Sequence, residues 1–94
     1  MNEIQLTERS GKSELLISSE SNWNLFEKVA ETLESELSGS WVEKTDGIDQ
    51  RYWDLQIEGE LLTLHLAHYL GILAFSESRN LLLRAKLVIE RKVF

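Results

Sequence analysis

The chain has 94 residues, 43% apolar and 28% charged, a balance that suits one folded domain over residues 1–94 and excludes both disorder and a second core. It has no cysteine, which excludes disulfide and thiolate chemistry, and no proline, which removes slow prolyl isomerisation from folding. The net charge of −6 is uneven: residues 1–77 hold 5 Lys and Arg against 15 Asp and Glu, and residues 78–94 hold 5 against 1.

The acidic body repels nucleic acid, and the basic end attracts anions. The simpler reading of that end is a helix with a solvated basic face that complements its own dipole. The first residues, MNEIQLTERSGK, are polar with no apolar core, unlike a signal peptide. No apolar run approaches the ~18 residues of a membrane span. The expected location is therefore the cytoplasm.

Taken in order, Glu3–Thr7 alternates, with Ile4 and Leu6 on one side. Glu8–Lys12 contains Gly11 and reads as a turn, and Ser13–Ser18 reads as a second strand, so the pair forms an N-terminal hairpin. Ser18–Asn22 is rich in capping residues, and Ser21 or Asn22 can accept from a first-turn amide. Trp23, Phe26, Ala30, Leu33 and Leu37 then recur at helical spacing, which predicts a helix over about residues 22–38 that stops at Gly39. Glu27, Glu31 and Glu34 share its outer face, a solvated stripe or a surface for a basic partner. Ser40–Thr45 is a short strand with Trp41 or Val42 inward, and Asp46-Gly47 marks the next turn.

Residues 51–76 hold Trp53, both tyrosines and both histidines. Trp53, Leu55 and Ile57 alternate with Tyr52, Asp54, Gln56 and Glu58. After a turn at Gly59-Glu60, Leu62, Leu64 and Leu66 alternate with Thr63, His65, Ala67 and Tyr69. This is a hairpin with one apolar and one mixed face. A buried helix over residues 61–73 is the competing reading, and alternation with aromatic flanks favours strand. Gly71 marks either a turn or bulge, or a point within an uninterrupted strand, so Ile72–Phe75 is a third strand or the bent end of the second. Ser76–Arg79 offers another N-cap. Asn80–Lys92 is a second helix whose stripe (Leu82, Ala85, Ile89, Val93) is widened by Leu83 and Leu87, which implies packing against something besides the sheet.

The expected fold is an α+β two-layer sandwich. Its antiparallel sheet has about five strands, with two helices on one face, in the order β-β-α-β-β-β-α, with room for one more short strand.

Several chemistries are poorly supplied. His65 and His68 lie three apart, which on a strand puts them on opposite faces, and with no third histidine or cysteine they lack the ligands zinc needs. His65 is expected on the open face and His68 near the core with one nitrogen bonded. The loop at residues 46–49 lacks the alternating oxygens of a calcium site, and the glycines are isolated, so no phosphate loop exists. Tyr, His and Asp could form an acid–base set, but no nucleophile or oxyanion motif accompanies them. No enzyme, metal or cofactor is therefore expected.

Tyr52, Asp54, Thr63, His65 and Tyr69 are predicted to share the sheet face away from the helices, a mixture of aromatic and polar groups suited to protein contact. The expected function is a non-enzymatic interaction module that binds a protein or pairs with itself. The alternative is a small-molecule-binding protein or minor enzyme with a pocket near His68 and Tyr69. Nucleic-acid binding through Arg79, Arg84, Lys86, Arg91 and Lys92 is the weakest reading.

The segment Tyr52-Trp53-Asp54, followed by LTLHLAHYLGI over residues 62–72, resembles a small family of uncharacterised bacterial proteins, mainly gammaproteobacterial, designated a domain of unknown function. The resemblance implies a bacterial cytoplasmic α+β protein and brings no activity. In type, the chain is also similar to some toxin-immunity proteins, which are small, acidic and α+β.

Overall fold

The computed structural model describes residues 4–9 and 12–94. Strands β1 (Gln5–Arg9) and β2 (Lys12–Ser18) precede helix α1 (Trp23–Glu36). Four strands follow, β3 (Ser40–Asp46), β4 (Gln50–Ile57), β5 (Glu60–Ala67) and β6 (Gly71–Ser76), and helix α2 (Arg79–Lys92) closes the chain. The six strands form one antiparallel sheet in the order β1-β2-β6-β5-β4-β3, one strand more than the five expected. The added strand is β6. The chain reverses over residues 68–70, where the Leu70 amide donates to the Ala67 carbonyl at 3.2 Å.

Gly71 settles which reading of that segment holds. Its φ is +98°, and a Cβ there would lie 2.0 Å from the Ser18 carbonyl oxygen. Only glycine takes this backbone so close to β2. The β4–β5 reversal uses Glu58 and Gly59, both with positive φ, the signature of a two-residue type I′ turn. The Asp46-Gly47 signal works differently. The β3–β4 hairpin turns at Ile48-Asp49, and the Gly47 amide donates to the Gln50 carbonyl at 2.7 Å.

The helices form where the caps stand. Asn22 accepts from the Leu25 amide and Ser78 from the Leu81 amide, each satisfying an orphan donor of the first turn. At the end of α1 the Gly39 amide reaches back to the Glu34 carbonyl at 3.1 Å, and the left-handed residue is Ser38, with φ 53°. Gly39 serves close packing instead: a Cβ there would sit 2.7 Å from Leu55 Cδ1.

Both helices lie on one face of the sheet. Leu15, Ile17, Leu55, Ile57, Leu62, Leu64, Leu66, Ile72 and Ala74 point toward them and are fully buried. They pack with Phe26, Val29, Ala30 and Leu33 of α1 and Leu81, Leu82, Ala85 and Ile89 of α2. Each fully buried leucine contributes roughly 2 kcal/mol of transfer free energy, so this layer carries the fold. Trp41 packs on the rim of that core, and Val42 points to solvent beside a β-bulge between Trp41 and Glu43.

Candidate functional site

Strand pairing sorts the other face of the sheet, because directly paired residues share a side. The registers Tyr52↔His65↔Leu73↔Leu16 and Asp54↔Thr63↔Phe75↔Glu14 run across β4, β5, β6 and β2 as two adjacent rows. Neither helix covers them.

The first row is aromatic and apolar. The Tyr52 ring stacks on His65 with centroids 4.0 Å apart and planes 19° from parallel, and Phe75 lies 5.8 Å from His65 on the other side. This clamp makes His65 only 5% exposed although no layer lies above it. Its Nδ1 lies 3.0 Å from the Arg51 carbonyl oxygen, which can only accept, so Nδ1 carries the proton. In the second row Thr63 donates to Asp54 Oδ1 at 2.7 Å. Tyr52 stays 45% exposed and Leu61 is similarly open at the end of β5. Glu14, Glu43 and Asp54 add carboxylates to the same face.

Four of the five residues expected to share a surface do so: Tyr52, Asp54, Thr63 and His65. Tyr69 does not. It lies in the turn after β5, 91% exposed, with its ring edge-on to His68 at 4.7 Å. His65 lies on the open face as expected but is buried and bonded there, whereas His68, expected near the core, is exposed in the turn. The strand ends one residue before His68, so period-2 alternation no longer places it. Leu16, Leu73 and Phe75 of the open face escaped sequence reading: the unbroken Leu15-Leu16-Ile17 run hides the alternation of β2, and β6 had to be recognised as a separate strand before its alternation could be assigned. Among the described residues no group of three or more His, Asp or Glu could hold a metal ion, and no helix is long and apolar enough to cross a membrane.

A cleft of about 640 Å³ opens on the Phe75 side of this face, lined by Lys12, Ser13, Leu61, Thr63, Phe75 and Ser76 among others. It lies by the β4–β5 turn, at the opposite end of β5 from His68 and Tyr69. Neither residue lines it, so the pocket expected beside them is not where this cleft forms.

A second constellation, unforeseen in the sequence, closes the helix-side face beside the first turns of α1. All three tryptophans converge there. Trp53 meets Phe26 edge-on at 5.0 Å and Trp41 at 5.5 Å. The Arg51 guanidinium lies 4.0 Å from the Trp23 ring and 5.1 Å from Trp53, and the Lys44 ammonium lies 4.3 Å from Trp53. Arg51 also donates to Glu27 at 3.3 Å, while Trp53 Nε1 donates to Asp46 at 2.7 Å. Arg51 Nε is 3.4 Å from the same Asp46 oxygen, close enough for an ion pair but not aligned as a hydrogen bond, so that N–H is buried and unpaired. Each cation–π contact contributes about 0.5–2 kcal/mol. The cations already occupy the rings, so the cluster is a structural plug. Arg51 and Trp53 share one side of the predicted strand, but Trp41 and Lys44 lie three apart, and only the bulge between Trp41 and Glu43 brings both to that side.

The fold and this surface define a small α+β protein with a one-sided antiparallel sheet. No curated protein and no solved structure matches it. A family model does: residues 1–85 match the family described as Protein of unknown function (DUF3630), and the chain belongs to that family. The resemblance noted in residues 52–72 thus extends over nearly the whole fold.

Proposed function

We propose that this chain is a non-enzymatic protein-interaction module that binds a protein partner through the open face of its sheet. The observation that carries the reading is the pairing of Tyr52 and His65 at the centre of an uncovered face that also bears Glu14, Glu43 and Asp54. A rigid, half-exposed tyrosine beside apolar groups is the composition of an interface anchor, and the carboxylates suit a basic partner. In its specific form the module is an acidic inhibitor of a basic protein, of the toxin-immunity type, acting in the bacterial cytoplasm. Charge steering would then speed encounter. Against nucleic acid as partner stands the pairing of Arg79, Arg84 and Lys86 with Glu8, Glu58 and Glu90.

The test is a photo-crosslinking amino acid placed at Tyr52 in the native host, with a second placement at Glu31 on α1 as control. A discrete adduct from position 52 that is absent from position 31 supports the reading. Equal labelling from both, or none from either, removes it. The cleft beside Phe75 favours a second reading, a small-molecule site. A metabolite-library thermal-shift screen that moves Tm by several degrees, and loses the shift in Phe75→Ala, would favour it over the first.

A further inference from the structure

We propose that two copies of this chain join through the free edge of β3, in one register, as a weak symmetric dimer. This surface is separate from the open face and does not depend on what that face binds.

Strand β3 ends the sheet and, among the described residues, pairs with β4 alone. The hydrogen bond from the Gly47 amide to the Gln50 carbonyl sets the phase of the hairpin. Antiparallel pairs alternate between bonded and non-bonded rings. With Asp46↔Arg51 and Lys44↔Trp53 as the non-bonded pairs, the backbone N–H and C=O of Lys44 and Asp46 point away from β4, to the free edge. Those four groups can pair with the same four of a second antiparallel copy.

Side chains then choose the register. A two-fold axis at Lys44 would set Lys44 against its own copy, and an axis at Asp46 would set two carboxylates together. An axis at Thr45 sets Lys44 against the second copy's Asp46, twice, and the two Thr45 side chains against each other. Directly opposed residues bring their Cβ atoms to about 5 Å, within reach of an ammonium–carboxylate contact. The same axis brings Val42, 60% exposed, toward the second copy's Ile48, 100% exposed. Lys44 and Asp46 keep their intramolecular contacts, since the Lys44 ammonium lies over Trp53 and Asp46 Oδ1 takes the Trp53 N–H.

Edge strands are commonly protected by charge and by bulges. Here the bulge between Trp41 and Glu43 stops the ladder on one side and keeps the contact short. The charges that deter other strands are complementary to their own copy. The union doubles the sheet and leaves the open faces of both copies on the same side, because the axis is perpendicular to the sheet.

Sedimentation equilibrium tests this. A contact this small should give a dimer fraction that rises between about 10 μM and 1 mM. Lys44→Glu and Asp46→Lys should each lower the association constant at least about tenfold, by opposing like charges. An equimolar mixture of the two variants should recover it, because each then meets its complement. Should Asp46→Lys fail to fold, amide hydrogen exchange of the unmodified chain decides: the Lys44 and Asp46 amides should gain protection with concentration while β1 amides do not. A monomer at 1 mM, association with those amides unchanged, or association undiminished in Lys44→Glu would each overturn the proposal.

Discussion

The two faces of this sheet are written in the same alternating code yet are buried by different means. On the helix side the inward leucines of β4 and β5 are sealed by α1 and α2, and beside the first turns of α1 the tryptophans, Lys44 and Arg51 complete the cover. On the open side neither helix lies above the strands, yet His65 and Leu73 are each only 5% exposed because their neighbours, Tyr52 and Phe75 among them, close over them laterally. Burial on the first face requires tertiary docking of helices. On the second, cross-strand side-chain pairs suffice, at the cost of leaving Tyr52 half-exposed. The first face carries the core, and the second leaves the Tyr52 ring half-exposed.

That contrast can be broken by substitution. The largest loss should come from Leu64→Ala, about 3–5 kcal/mol by chemical denaturation, because Leu64 is fully buried between sheet and helices. Its immediate neighbour on the other face, Thr63→Ala, should cost about 1 kcal/mol, chiefly the hydrogen bond to Asp54. Equal losses at the two positions would contradict the division of labour. Gly71→Ala should cost about 3 kcal/mol or prevent folding, since a Cβ both meets the Ser18 carbonyl and forces a residue to φ +98°.

Next in size, Arg51→Ala should cost about 2 kcal/mol by loss of its stacking on Trp23 and Trp53, with Arg51→Lys recovering about half. The same change should alter tryptophan fluorescence, since all three indoles adjoin that corner. Tyr52→Ala should cost about 1 kcal/mol in stability while freeing the His65 ring, visible as a shift of its imidazole proton resonances. Smallest of all, Ile48→Thr at the fully exposed hairpin tip should change stability by less than about 0.5 kcal/mol.

Much of this comparison is legible in the order of the residues alone. Leu62, Leu64 and Leu66 alternate with Thr63 and His65, so two faces follow from extended geometry alone. Capping residues and helical spacing placed α1 and α2 to within a residue or two. The local pattern failed where the chain leaves regular geometry. His68 and Tyr69 lie just beyond the last residue of β5, and a reversal there removes them from the alternation that seemed to assign them. The same reversal created β6 and with it Leu73 and Phe75 of the open face.

The amino-acid sequence by itself determined the element types, the inward leucines and the four aromatic and polar residues that share the open face, because periodicity and caps are local. Only the tertiary structure decided that β6 inserts between β2 and β5, that Tyr52 and Phe75 bury His65, and that Arg51 stacks among aromatic rings from α1 and β4. Those outcomes depend on strand order and on contacts between residues far apart in the chain, which no local pattern encodes.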